Sequence, residues 1–161
     1  MRLLGAAMII SAFGGAGLAA ALELEKRFRL LREAERITEH MRTEVCLRRR
    51  PLPEVLSALS EAFPRRFAGA DRLERQLAEI SFAELWRACI KKNAFPPEAE
   101  TALIRLGEEL TLGEPPERVF SRCQDDLGRL REQTREQKEK NARLYPAAGL
   151  ALGCLLVIVL L

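Results

Sequence analysis

The last stretch of the sequence, residues 144–161, contains no charged side chain. A helix of that length rises about 27 Å, close to the ~30 Å hydrocarbon core of a bilayer. Tyr145 stands where an aromatic ring would lie at headgroup level, and Pro146 falls in the first apolar turn, where a missing N–H costs least. The stretch also lacks the polar face of a helix in a soluble protein. It is therefore predicted to span a membrane.

The opening stretch, residues 1–22, is also apolar after Arg2. It fits either a second membrane span or a cleaved signal peptide, for which Ala19-Ala20-Ala21 would serve as the A-x-A site. The apolar run of about 20 residues exceeds the usual signal core of about 7 to 15. Apolar residues also continue at helical spacing beyond the cleavage point, through Phe28 and Leu31. These two features favour a second span.

Small residues recur at every fourth position within the predicted spans. Such a ridge lets helices approach closely in lipid. We therefore predict that the spans pack together or against partner helices through Ala7, Ser11, Gly15 and Ala19 in the first span, and through Gly149 and Gly153 in the second.

Positive charges lie on the inner side of both predicted spans. Lys and Arg recur through residues 26–36 and 129–143, whereas the outer ends offer only Arg2 and the amino terminus. By the positive-inside rule, the middle of the chain is cytoplasmic. The predicted organisation is a transmembrane helix over 1–22, a cytoplasmic domain over 23–143 and a second transmembrane helix over 144–161.

The middle domain shows apolar residues at helical spacing, breaks at Pro or Gly, and no strand-like alternation. This pattern predicts an all-α bundle of six helices, the first and last of which continue into the membrane. The predicted helices cover residues 23–48, 54–63, 66–80, 82–92, 97–113 and 115–140. Ser81 and Glu84 form a capping box, and Trp86 is predicted to lie in the core.

Composition and motifs argue against several functional classes. Lys and Arg number 26 against 23 Asp and Glu, so the net charge of +3 does not suggest a nucleic-acid-binding protein. The four cysteines and single histidine have no metal-ligand spacing, and no phosphate loop or catalytic motif occurs. The sequence therefore predicts no enzyme activity, cofactor, metal or small-molecule substrate.

Two arginine clusters are the candidate partner-docking residues. Arg48, Arg49 and Arg50 lie beside the first predicted bend, and Arg65 and Arg66 lie beside the second. A short helix between them could bring both clusters to one end of the bundle, as a patch for an acidic partner or anionic lipid headgroups. The alternative is that these arginines are solvated at helix ends, where the helix dipole favours them.

Short motifs follow one order along the whole chain. They are Arg2 before Leu3-Leu4-Gly5, Gly17, Glu44-Val45 followed by Pro51-Leu52-Pro53-Glu54, Trp86, Leu112-Gly113, and Leu144-Tyr145 with Gly149 and Gly153. In this order they resemble the stage III sporulation protein AB family of endospore-forming bacteria. The departures are Leu47 and Arg50, where the family has Tyr and Thr, Arg118 where Gln is common, and Pro146 where a basic residue is usual.

The resemblance implies a fold similar to the cytoplasmic domain of the inner-membrane platform protein of type II secretion and type IV pilus systems. It further implies membership of the secretion-like complex between mother cell and forespore, as a homo- or hetero-oligomer. A cytoplasmic ATPase and other membrane subunits would be its partners. Two alternatives stay open, namely a platform subunit of a true secretion or pilus machine, and a secreted helical binding domain anchored by its tail.

Overall fold

The structure is a computed structural model. It describes the backbone of residues 2–68 and 81–160, and the side chains of residues 19–68 and 81–141. Over these residues it contains five α-helices and no strand, which confirms the predicted all-α class.

The helices and their connections follow the predicted breaks closely. They are α1 (Arg2–Arg42), α2 (Leu52–Ala62), α3 (Phe82–Lys92), α4 (Pro97–Thr111) and α5 (Pro116–Leu160), and a π-helical turn, Thr43–Leu47, follows α1. The described residues thus contain five α-helices, where six are predicted. The predicted third helix, 66–80, starts in a turn at Arg66, and from position 69 it lies outside the described residues.

The local signals that begin and end the helices behave as the sequence predicts. Ser81 caps α3, because its Oγ accepts a hydrogen bond from the Glu84 N–H at 3.3 Å while the Glu84 carboxylate accepts one from the Ser81 N–H at 3.3 Å. Pro97 and Pro116 each begin a helix at a position where the missing N–H has no cost. Gly113 follows α4 with a φ of 82°, which glycine adopts without strain.

The prediction of two membrane spans falls largely outside the described side chains. Within residues 19–68 and 81–141, no helix is both long enough and apolar enough to cross a bilayer. The predicted spans, 1–22 and 144–161, lie beyond these residues except for positions 19–22. The two spans therefore stay a prediction, as do the domain boundaries that depend on them.

The chain divides into two compact units. The terminal unit contains Met1–Phe28 and Glu132–Leu161, and the central unit contains Arg29–Arg131. In the terminal unit, Lys138 forms an ion pair with Glu25 and lies over the ring of Phe28 at 5.9 Å from its centroid. The central unit holds most of the buried apolar side chains that the structure describes.

In the central unit, α1 and α5 run antiparallel. Glu35 on α1 pairs with Arg131 on α5 at 2.8 Å, and Glu39, one turn later on α1, binds Gln124, two turns earlier on α5. Alongside these polar contacts the two helices bury apolar residues at spacings of three and four, as predicted for an amphipathic pair. These are Leu31, Ala34, Ile37 and Met41 on α1, and Val119, Phe120, Cys123 and Leu127 on α5.

Trp86 on α3 lies in the core, as predicted. Its side chain is 0% exposed and stacks on Phe67 and Phe82, with centroid distances of 6.0 and 6.2 Å. Its indole N–H donates a hydrogen bond to the Leu103 carbonyl on α4 at 2.6 Å. The indole also lies over Gly107, where an added Cβ would come within 2.2 Å of a ring carbon. Glycine is therefore required there by space, although its φ is ordinary.

We expect Gly107→Ala to destabilise the protein by about 2 kcal/mol or more, because overpacking against a rigid indole outweighs the better helix propensity of alanine. Gly128→Ala on α5 is the matched control, since nothing lies within 4 Å of its added Cβ. That change should stabilise the protein by up to about 1 kcal/mol. Urea unfolding of the full chain, followed by the fluorescence of the single tryptophan, measures both. Equal effects of the two substitutions would contradict the packing described for Gly107.

Candidate docking site

The turn that follows α1 has an unusual backbone. The Arg48 N–H donates to the Thr43 carbonyl at 3.0 Å, which is a π-helical bond, and the Arg50 N–H donates to the Glu44 carbonyl at 3.0 Å. Arg49 lies between these two donors with a φ of 53°, in the left-handed region. We call residues 43–50 the Glu44 turn. It presents three successive arginine side chains in a fixed backbone geometry.

A buried carboxylate organises this turn. The Glu44 side chain is 1% exposed, and its two oxygens pair with Arg48 Nη1 at 2.8 Å and Arg50 Nε at 3.2 Å. The ring of His40 lies one turn before it, with Nε2 at 3.8 Å from Glu44 and the ring edge-on to Phe63. Two of the predicted docking arginines therefore bind a carboxylate within the chain.

Arg49 is the arginine of this cluster that stays available. It is exposed, and no ion pair within the described parts of the chain involves it. Since one carboxylate faces two guanidinium groups, the turn already has excess positive charge, to which Arg49 adds. Of the three arginines in the Glu44 turn, Arg49 is therefore the one that stays in solvent.

The second arginine cluster divides in the same way. Arg66 binds both carboxylate oxygens of Glu33 on α1, at 3.0 and 2.7 Å, and donates to the Asn93 carbonyl at 2.9 Å. Its guanidinium also lies over the ring of Phe95, 5.5 Å from the centroid. Arg66 thus ties α1 to the turn between α3 and α4. Arg65, next to it, is exposed and has no ion pair among the described residues.

The two clusters are separated along α1. Glu33, which holds Arg66, precedes Glu44 by about three turns, a distance of roughly 16 Å along a helix axis. Within the described residues, no contact joins Arg65 or Arg66 to Arg48, Arg49 or Arg50. The sequence predicts all five as one candidate patch, whereas Arg48, Arg50 and Arg66 form ion pairs within the chain.

The candidate residues for helix packing in the membrane fall largely outside the described side chains. Ala19 is exposed. The others lie on α1 and α5 in stretches where only the backbone is described, and they are Ala7, Ser11, Gly15, Gly149 and Gly153.

The described cysteines have the properties of structural thiols. Cys46, Cys89 and Cys123 are all free, and burial raises the pKa of each, in the case of Cys123 to about 12. For Cys46 the nearby charge of Glu117 adds to the effect of burial. Because the thiolate is the reactive species, these residues are poor nucleophiles. Over the residues that the structure describes, no cluster of His, Cys, Asp or Glu is arranged to hold a metal.

A surface depression of about 400 Å³ lies between α1 and α5 in the central unit. Its walls are charged or polar, and its carboxylates already bind Arg131 and Gln124. Small-molecule sites are mostly apolar with a few polar groups, so this depression does not have the character of a substrate pocket. Its lining residues are Arg32, Glu35, Arg36, Glu39, Gln124 and Arg131.

Comparison with known families identifies the chain. Residues 2–161 match the family described as stage III sporulation protein AB. The chain belongs to this family. No curated protein and no solved structure matches it. Membership of stage III sporulation protein AB makes this a sporulation-related protein and confirms the resemblance drawn from its motifs.

Sequence reasoning missed the role of Glu44 and the exposure of two leucines. Glu44 follows the buried Met41 by three residues, so it lies on the same inward face of the helix. Its spacing of four residues from both His40 and Arg48 is typical of a helical ion pair and could have predicted this one. Leu47 and Leu112 are 78% and 81% exposed. No sequence pattern separates them from core leucines, because exposure at the end of a helix depends on what packs beside it.

Arg66 and Arg65 provide a matched pair for testing these assignments. Arg66→Ala should destabilise the full chain by about 2 kcal/mol, because Glu33, the Asn93 carbonyl and Phe95 all lose a partner. Arg65→Ala should change the free energy of unfolding by less than about 0.5 kcal/mol. Urea unfolding again measures both, and a large loss for Arg65→Ala would contradict the assignment of Arg65 as an unpaired surface residue.

Thiol labelling tests burial and pKa together. At pH 8 the raised pKa of Cys123 leaves only about one thiol in ten thousand ionised. We expect N-ethylmaleimide to modify Cys46 at least about tenfold faster than Cys123 in the folded chain, and the two at similar rates in urea. Peptide mapping by mass spectrometry reads out each site. Equal rates in the folded chain would overturn the burial of Cys123.

Proposed function

We propose that this protein is a non-enzymatic platform subunit of a secretion-like sporulation complex in the cell membrane between mother cell and forespore. Its two apolar ends would lie in the bilayer, and its helical middle domain would lie in the mother-cell cytoplasm. There it would dock a cytoplasmic ATPase and other membrane subunits. The observation that carries this proposal is the family match over residues 2–161.

The charge distribution supports the membrane arrangement. Uncharged stretches occupy residues 3–22 and 144–161, and basic residues concentrate on their inner sides. The contact between Glu25 and Lys138 joins α1 and α5 just inside these stretches. If the two helices stay antiparallel outward from this contact, about ten residues along each brings Gly15 level with Gly149. We propose that the small residues of both helices pack there, with Ser11 near Gly153.

A scaffolding role agrees with the environments of the cysteine and histidine side chains. Burial raises the pKa of the described thiols, so they stay protonated near neutral pH. The single histidine, His40, lies between Glu44 and Phe63, where it contributes to packing. The conspicuous polar contacts, such as Glu33 with Arg66, join elements of the fold. They hold helices and turns in position within the fold.

Topology is the first test. Ala88 is exposed on α3, so Ala88→Cys adds one accessible thiol to the middle domain. We expect a membrane-impermeant maleimide to label this variant in permeabilised cells and to leave it unlabelled in intact cells, because the domain faces the cytoplasm. The wild-type chain is the control for labelling of the native cysteines. Labelling in intact cells would contradict the cytoplasmic placement, and release of the chain by carbonate without detergent would contradict the spans.

A further inference from the structure

The two carboxylates that line the depression between α1 and α5 both have partners within the chain. Glu35 pairs with Arg131 at 2.8 Å. Glu39 accepts a hydrogen bond from Gln124 and lies 3.9 Å from a guanidinium nitrogen of Arg42. Each carboxylate is thus matched by one cation, so these pairs give the depression no net charge.

Two further guanidinium groups line the depression without such a partner. Arg32 and Arg36 are exposed, and neither makes an ion pair or a side-chain hydrogen bond within the described residues. They lie one turn apart and therefore on the same face of α1. Arg29, three residues earlier, is likewise exposed and unpaired in that part of the chain. We call Arg29, Arg32 and Arg36 the α1 arginine row, which extends over roughly 10 Å of helix.

The neighbouring carboxylates of α1 do not neutralise this row. Glu25 and Glu33 lie four residues before and after Arg29, at a spacing that favours ion pairs along a helix. Glu25 instead pairs with Lys138, and both oxygens of Glu33 bind Arg66. The positive charge of the α1 arginine row is therefore left for a group outside the described chain.

On the α5 side the depression has open space. Gly128 lies one turn from both Gln124 and Arg131, which line the depression, and an added Cβ at position 128 would meet nothing within 4 Å. The exposed residues on either side of it, Asp125 and Arg129, carry opposite charges and leave the charge balance unchanged. Side chains of another molecule can therefore enter between the two helices.

The chemistry of the walls favours a polypeptide as the occupant. A row of guanidinium groups over roughly 10 Å is longer than one phosphate or carboxylate group, so it matches several anionic groups in line. Glu35 and Glu39 would repel a chain of phosphates, whereas the amide and cationic groups of a polypeptide can donate to them. The described lining residues include no aromatic side chain on which a nucleobase could stack.

We propose that this depression docks an acidic helix of another protein. Carboxylates at spacings of three and four form a row along one face of a helix, and such a row pairs with Arg29, Arg32 and Arg36. The partner helix lies along the groove between α1 and α5. This face is separate from the two arginine clusters at positions 48–50 and 65–66, and the inference does not depend on the proposed function.

Disulfide capture tests the proposal on the full chain in phosphatidylcholine nanodiscs. Gly128→Cys places a thiol beside the depression, at a position with room for it. The probes are two synthetic helical peptides of identical composition, each ending in cysteine. One carries its glutamates in a row at spacings of three and four, and the other distributes them around the helix. At redox equilibrium we expect about fivefold more capture of the first peptide, measured by intact mass, because docking raises the effective concentration of its thiol. The chain without the introduced thiol controls for the native cysteines.

Paired variants on the Gly128→Cys background identify the arginines responsible. Arg32→Gln with Arg36→Gln should reduce the fivefold preference to about one. Arg65→Gln with Arg118→Gln removes the same charge from exposed arginines outside the depression, and this matched control should keep the preference within about twofold. Arg32→Glu with Arg36→Glu should instead prefer a peptide with a row of lysines, a gain that a misfolded variant would not show.

Three results would overturn the proposal. The first is equal capture of the two glutamate peptides by the chain with arginine at positions 32 and 36. The second is an equal loss of preference in the matched control, which would mean that only overall charge matters. The third is release of the acidic-row peptide by submillimolar tripolyphosphate at constant ionic strength, which would assign the α1 arginine row to a phosphate ligand.

Discussion

The central unit depends on the antiparallel pairing of α1 with α5. These helices are far apart in the sequence, and their contact buries Ile37 and Leu127 completely while Glu35 with Arg131 and Glu39 with Gln124 flank the apolar seam. Closing so long a loop costs chain entropy that only a continuous apolar interface can offset. The polar contacts contribute little to stability at the surface, but they select one register among the several that a simple apolar stripe allows.

Trp86 provides the second constraint, inside the unit. An indole buried on all sides needs a hydrogen-bond acceptor for its N–H and a flat space for its ring. The Leu103 carbonyl on α4 accepts the hydrogen bond. Gly107, also on α4, leaves the space that the ring occupies. Because one side chain places both demands on the same helix, the approach of α3 to α4 is tightly restricted, and Phe67 and Phe82 complete the stack.

The arginines of the two clusters look equivalent in the sequence, but the fold gives them different environments. Arg48, Arg50 and Arg66 face carboxylates of α1 and its extension, where they hold loops against the bundle. Arg49 and Arg65 lie directly beside them in sequence and stay in solvent. Adjacent residues in a turn point in different directions, so each cluster divides into bound and solvated members. This division matters for any interaction, because only the solvated members are available to another protein.

The helical class, the breaks at proline and glycine, the capping box at Ser81 and the burial of Trp86 could all be predicted from the sequence, because each depends on local chemistry or on spacing along one helix. The order of short motifs was likewise sufficient to indicate the family. The partners of Glu44 and Glu33, the need for glycine at position 107, the left-handed turn at Arg49 and the exposure of Leu47 and Leu112 required the tertiary structure. Each of them depends on which elements pack together across long stretches of chain. The spacing of residues along one helix does not determine which other element packs against that helix.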